Sequence, residues 1–260
     1  MSENRSRVAV VSQHYPPDKS GNASRIHDTC EHLAEEGWEV TVLAPPPAFP
    51  HGQFERTWER KATATDDGVT VHRLWAWQPT AENPGFPSRM AYYLLFPIHA
   101  LIWLAFNRRG YDAIVTSSPP IFTGLAGLPF GLLGRKPLVV DVRDLWIDAS
   151  VGLGFISDGG VLERVSRAYE RFLLRSADRI TVTTTVLGER LVEQYDIPPE
   201  KVAHLPNGVD TDEYRSTDRK SDRTIVYTGN VGHAQALEPC VRAMGDLEET
   251  GATLEIVGDG

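Results

Sequence analysis

Hydrophobic and polar positions fall into two alternating textures along this chain. Short, nearly continuous apolar runs occupy Val8–Ser12, Trp38–Leu43, Val69–Leu74, Ala113–Thr116, Leu138–Val142, Ile180–Thr183 and Val202–Leu205. Longer stretches with apolar residues every three or four positions separate several of them. In one such stretch Ile26, Cys30 and Leu33 share a face of a helix that runs to about Glu36, with Gly37 as its stop. In another, Val165, Tyr169 and Phe172 mark a helix over Val161–Arg175. Buried strands separated by helices predict an α/β domain built on a parallel sheet covered on both faces.

The texture changes after Pro206–Asp210. Thr211–Arg223 is polar throughout, and then the rhythm restarts with a strand at Thr224–Tyr227, a glycine loop, a helix over Gln235–Glu249 and a strand at Thr253–Val257. The predicted organisation is a complete first domain over 1–208, a linker over 209–223, and only the first β-α-β unit of a second domain over 224–260. A domain of that kind needs about 100 residues or more, so the chain is expected to be truncated and its last segment either packed on the first domain or mobile.

One segment departs from this pattern. Met90–Phe106 is apolar apart from His99, is interrupted by Pro97, and is followed by Asn107-Arg108-Arg109. A membrane span needs roughly 20 apolar residues. Two readings remain: a buried core helix, or a helix lying in a membrane surface and anchored by the trailing arginines. The glycine-rich apolar stretch Gly124–Gly134 strengthens the second.

Composition narrows the function classes. The 260 residues are 41% hydrophobic and 23% charged, as in ordinary soluble domains, and the net charge of −9 argues against a nucleic-acid partner. Cys30 and Cys240 are too few and too distant for a disulfide framework or zinc site, and no apolar leader follows the first charges. A cytoplasmic protein is expected, peripheral on the inner face of the cell membrane if the Met90–Arg109 segment docks there.

Candidate chemistry sits where strands meet loops, because ligands of open parallel sheets bind beyond the carboxyl ends of strands. After the first strand, Gly21, Asn22 and Arg25 form a candidate acceptor- or phosphate-binding group: Gly21, just before a helix, lets a phosphate or sugar approach its amides. A turn glycine beside a surface arginine is the plain alternative. In "VVDVRDLW", Val139 to Trp146, a buried strand ends in Asp141, Arg143 and Asp144. Either these charges pair with one another, or a carboxylate faces a developing cation beside an arginine for phosphate. In "YTGNVGHAQAL", Gly229, Asn230 and Gly232 before a helix suit a diphosphate held by backbone amides. Asp210-Thr211-Asp212 has a D-x-D spelling, but its place in a linker favours a helix N-cap over a metal site. No G-x-G-x-x-G, Walker, H-E-x-x-H or G-x-S-x-G motif occurs.

Five segments, "YPPDKSGNASRIHDTCEHLAEEGWEVTVLAP", "VVDVRDLW", "LPNGVD", "YTGNVGHAQALE" and "LEIVGDG", resemble in order the retaining glycosyltransferases of family 4, which have the GT-B fold of two Rossmann-like domains. The likeness is to the surface-polysaccharide type (O-antigen, colanic acid, amino-deoxy-sugar transferases). The resemblance implies an acceptor domain first and a UDP- or GDP-sugar domain second, with a glycan or polyprenyl-linked acceptor and no cofactor or metal. It implies that Gly21 stands near the phosphates, that Asp144 contacts the transferred sugar with Asp141 and Arg143 in support, and that Gly229, Asn230, Gly232 and Gln235 face the donor diphosphate. Transfer would retain anomeric configuration, the leaving diphosphate helping to deprotonate the acceptor hydroxyl.

Two departures stand out. Asn230 and Gln235 occupy positions where many members carry an arginine and a lysine, so charge compensation must come from elsewhere, Arg143 or Arg25 being candidates. The E-x7-E segment that grips the donor follows the last matched motif and is not in this chain. Whether the chain is an enzyme by itself is therefore open. The competing expectations are a non-catalytic acceptor- and membrane-binding half that needs a partner chain for the donor site, an inactive truncated remnant, and a phosphorylase or epimerase of the same fold.

Overall fold

A computed structural model describes residues 5–57, 61–64, 68–82, 84–134, 136–212, 214–215, 223–232 and 235–258, with the backbone alone at 61–64. The chain divides into two compact units, Met1–Gly208 and Val209–Gly260.

The first unit is an eight-stranded sheet. In chain order its elements are β1 (Arg7–Val11), α1 (Gly21–Glu35), β2 (Glu39–Ala44), β3 (Lys61–Ala64), β4 (Val69–Arg73), α2 (Phe86–Asn107), β5 (Ala113–Ser118), α3 (Gly124–Leu132), β6 (Leu138–Val142), α4 (Trp146–Gly152), α5 (Val161–Ser176), β7 (Arg179–Val182), α6 (Thr185–Tyr195) and β8 (Val202–His204). The strands lie in the order β3-β4-β2-β1-β5-β6-β7-β8. Every pairing is parallel except that of edge strand β3 with β4. The apolar runs read from the sequence are these parallel strands.

Strand alternation sends successive side chains to opposite faces. Val8 and Val10 of β1 join Ile26 and Cys30 of α1 in one core cluster. Ala9 and Val11 join Phe96 and Leu104 of α2 and Leu173 and Leu174 of α5 in the other. Ser20 caps α1 by accepting from Ala23 N at 3.2 Å, and Gly37, at φ 89°, takes the left-handed turn that ends it.

Helix α2 buries one face, as a core helix does, and leaves an apolar stripe exposed on the other. Tyr92, Phe96, Pro97, Ala100 and Leu104 are buried, so Pro97 is a core residue inside a continuous helix and not an interruption. Leu95, Ile98, Ile102 and Phe106 are exposed. Their spacing of three and four places them along one outward stripe. Helix α3, by contrast, is core and gives no support to a membrane face before Leu132. A Cβ on Gly124 would stand 2.3 Å from Leu173, and one on Gly127 2.6 Å from Leu138. The glycines exist to let α3 lie close against α5 and the sheet.

The second unit holds β9 (Thr224–Thr228), α7 (Glu238–Ala243) and β10 (Thr253–Val257), with β9 and β10 parallel. The single helix expected over Gln235–Glu249 is instead a six-residue α-helix followed by 3-10 turns over Met244–Thr250. Ala236 is left-handed at φ 46° and Pro239 sits in the first turn, so helix cannot extend upstream. Ile225, Val226, Ile256 and Val257 are all exposed.

Candidate active site

The chain builds β1, β2 and β4 to one side and β5 to β8 to the other, so the strand order reverses between β1 and β5. That reversal opens a crevice at the carboxyl ends of the strands, the usual ligand position in such sheets. Four of the residues singled out in the sequence meet there.

Asn22, in the first turn of α1, donates from Nδ2 to Pro119 O at 3.2 Å, and Ser117 Oγ donates to its Oδ1 at 3.4 Å. Asn22 thus ties the exit of β1 to the exit of β5. Arg143 reaches the same carbonyl, with Nη2 to Pro119 O at 3.0 Å and Nε to Ser118 O at 3.3 Å. Two successive prolines, Pro119 and Pro120, carry no N–H, and the carbonyls before them serve as acceptors for these side chains. This acceptor shelf went unread in the sequence, although "SSPP" after a strand is its signal.

Asp141 and Arg25 form the buried centre. Asp141 Oδ1 accepts from Arg25 Nη2 at 3.1 Å and from Thr181 Oγ1 at 2.7 Å, while Oδ2 faces Arg25 Nε at 3.4 Å. Arg25 also donates from Nη2 to Leu205 O at 2.8 Å and from Nη1 to Pro206 O and Asn207 Oδ1 at 3.1 and 2.9 Å. These five hydrogen bonds match the five N–H donors of a guanidinium. Arg25 is therefore no surface arginine and keeps no donor for a phosphate. It binds α1, β6 and the Leu205–Asn207 segment together. The rim charges do pair, as the plainer expectation held, but across 116 residues and not only among themselves.

Arg143 and Asp144 are placed differently. Burial pulls the Arg143 guanidinium down to about 10, against the pull of Asp141 and Asp144, so it remains a cation at neutral pH. Its Nη1 makes no hydrogen bond to a described residue. Asp144 is exposed one residue further along. Crowding by the surrounding chain raises its carboxyl above the usual range, and Arg143 counters this. No hydrogen bond holds that carboxyl among the described residues. Gly21 is the first residue of α1, with Ser20 and not Gly21 preceding it, and a Cβ there would meet nothing within 4 Å. Internal packing does not demand a glycine at this helix start.

In the second unit, Gly229 N donates to Val257 O at 3.0 Å, and Tyr227 Oη donates to Asn230 O at 2.7 Å. Gln235 closes on the loop, its Oε1 accepting from Gly232 N at 3.1 Å. Two of the three amides expected to face a diphosphate are thus already engaged, Gly229 N by the end of β10 and Gly232 N by Gln235. The helix behind it is too short to add a substantial dipole. Asp210 Oδ1 accepts from Asp212 N at 2.7 Å in a local turn, and the described residues directly after it, 211–212 and 214–215, are not helical.

Residues 20–208 match the glycosyl transferase 4-like domain family. WcaI of Escherichia coli K12, named for colanic acid biosynthesis, is 25% identical over 98% of this chain and 66% of its own length. A GDP-mannose-dependent alpha-mannosyltransferase of Mycobacterium tuberculosis is 30% identical over 98% of this chain and 63% of its own. The chain thus spans about two thirds of the length of these curated relatives. Among solved structures, sucrose-phosphate synthase of Thermosynechococcus elongatus superposes with a TM-score of 0.63 at 14% identity, over 98% of this chain and 71% of that one. Anabaena Alr3699/HepE, in complex with UDP and glucose, gives 0.62 at 13% identity over 97% and 61%. These two share the fold, a GT-B arrangement.

Proposed function

The chain belongs to the glycosyl transferase 4-like family, and from that premise we propose that it works in a retaining glycosyltransferase that moves a sugar from a UDP- or GDP-linked donor to a glycan or polyprenyl-linked acceptor. The setting is surface-polysaccharide or glycolipid assembly, as the colanic-acid and GDP-mannose names of its relatives suggest. The observation that carries this reading is the rim at the β1/β5 switch point, where Asn22 and Arg143 share the Pro119 carbonyl and Asp144, with no hydrogen bond to its carboxyl among the described residues, stands beside the largely buried Arg143 cation.

Each residue then has a role its environment supports. Asp144 faces the positive charge that develops on the sugar ring as the donor bond breaks. Arg143, whose Nη1 makes no hydrogen bond to a described residue, offers a cation to the departing diphosphate. Gly21 leaves room at the amino end of α1 for the same phosphates. Arg25 and Asp141 hold these groups in place without touching substrate. Within the second unit, Gly229, Asn230, Gly232 and Gln235 are the candidate donor-diphosphate group, which requires Gln235 to swing off the Gly232 amide. No metal or cofactor enters the reaction: the leaving diphosphate takes the acceptor proton.

The outward stripe of α2, Leu95, Ile98, Ile102 and Phe106, ends at Arg108 and Arg109. Apolar side chains beside cations suit the cytoplasmic face of an anionic membrane. A second reading, an acceptor- and membrane-binding half completed by a partner chain, is favoured by the exposed apolar strands of the second unit. Donor hydrolysis and sugar transfer, measured on the chain alone and with a donor-binding half of a relative supplied in trans, separate the two. Asp144→Asn should lower transfer in the competent mixture by roughly 100- to 1,000-fold; unchanged turnover would remove the proposed site.

A further inference from the structure

Beside the rim lies a groove to which the reaction above assigns nothing. It has a volume of about 160 Å³ and is lined by Phe86, Met90 and Tyr93 of α2, Trp146 of α4 and Leu162 of α5, with Arg89 at its edge. Trp146 follows Asp144 by two residues, so the groove adjoins the proposed reacting position. Phe86, Phe155 and Leu162 are about half exposed around it, at 50%, 58% and 46%.

The chemistry of the lining limits what fits. Dry cavities near 150 Å³ admit a benzene-sized guest, so the groove has room for a short hydrocarbon segment whose remainder would run out over the open rim. A free sugar would need many hydrogen-bond partners, and the lining offers few beyond Ser150 and Ser166. Arg89 lies 5.2 Å over the Phe155 ring and forms no ion pair with a described carboxylate. An apolar slot with one uncompensated cation at its mouth is complementary to an amphiphile whose hydrocarbon begins at a phosphate.

We propose that this groove holds the first isoprenoid segment of a polyprenyl-phosphate-linked glycan acceptor, with Arg89 on its phosphate, and so brings the acceptor to the Asp144 rim. The proposal rests on the acceptor side of the transferase reading, and it makes Arg89 and Leu162 specificity residues.

The test is calorimetric titration of the full chain with farnesyl phosphate, farnesol and inorganic phosphate. Farnesyl phosphate should bind, inorganic phosphate at least about tenfold more weakly. Leu162→Trp, which fills the groove at a half-exposed position, should weaken farnesyl phosphate and farnesol together by about tenfold or more. Arg89→Gln should weaken farnesyl phosphate by about tenfold and leave farnesol unchanged. Phe155→Ser, on the rim, gives the same loss as Leu162→Trp should that variant fold poorly. Absence of farnesyl phosphate binding, binding that none of the variants alters, or inorganic phosphate binding as tightly would overturn the proposal. Binding that these variants alter, with no sugar transfer in the mixture completed by the donor-binding half, supports the groove and overturns the transferase reading. Transfer to a lipid-linked acceptor without chain-dependent binding does the reverse.

Discussion

Arg25 and Asp141 form a two-point ion pair inside the first unit, with side chains only 8% and 6% exposed. Removing one partner of a buried pair strands the other charge in a poorly solvated site, a loss of about 3–5 kcal/mol. Asp141→Ala should therefore lower the unfolding free energy by that amount in urea denaturation. Combining it with Arg25→Leu should recover part of the loss. A cost below about 1 kcal/mol for Asp141→Ala would show that the pair is not the brace described here.

Glycines of the first unit divide into two kinds, and substitution should tell them apart. Gly124→Ala would drive a methyl into Leu173, and overpacking of this sort costs about 1–3 kcal/mol. Gly21→Ala meets open space and gains helix propensity, up to about 1 kcal/mol. Thermal melts should thus fall for the first and hold or rise for the second. Sugar transfer should fall by roughly 100-fold for Gly21→Ala, because displacing a phosphate by an ångström disrupts reacting geometry. Full activity in a stable Gly21→Ala protein would exclude close approach there.

Glu170, on α5, accepts a hydrogen bond from Tyr195 in a buried site, and burial pushes its carboxyl up to about 7 from 4.5. The neighbouring Asp148 and Asp144 raise it as well, and the Tyr195 bond and Arg167 oppose. A folded pKa above the unfolded one favours the protonated form, so this contribution is complete below about pH 4.5 and fades as pH rises through 7. The shift corresponds to about 3 kcal/mol. Urea midpoints should decline between pH 5 and 8, and Glu170→Gln should flatten that decline. A profile identical in the two proteins would refute the assignment.

On α2, replacing Ile98 and Ile102 by serine should leave the melting temperature unchanged, since both are about half exposed, at 48% and 49%. Flotation with anionic vesicles should fall by more than about tenfold, because each isoleucine contributes up to roughly 1.5–3 kcal/mol on burial. Arg108→Ala with Arg109→Ala should remove much of the salt dependence of binding. Equal flotation of all three proteins would place the membrane contact elsewhere or nowhere.

Much of this protein is determined by sequence alone. Parallel strands buried on both faces must be apolar throughout, so β1, β2 and β4 to β7 announce themselves, as does the buried face of α1. On α5 the helix was legible but not its inner face: Val165 and Phe172 point outward at 59% and 51% exposure, and Leu173 and Leu174 are the buried ones. Edge strand β3, Lys61–Ala64, and the short α4 carry no such pattern and went unread. Sequence also supplied the cast of the rim: Asp141, Arg143 and Asp144 at the exit of β6, and Asn22 and Arg25 at the start of α1. Which of them braces and which stays open was decided only by the fold. Arg25 reads as a surface arginine until β6 brings Asp141, and β8 the Leu205–Asn207 carbonyls, to all five of its donors. Local periodicity reports whether a residue points inward. Hydrogen-bond partners more than 100 positions away depend on how strands are ordered across the sheet, and no local pattern encodes that order.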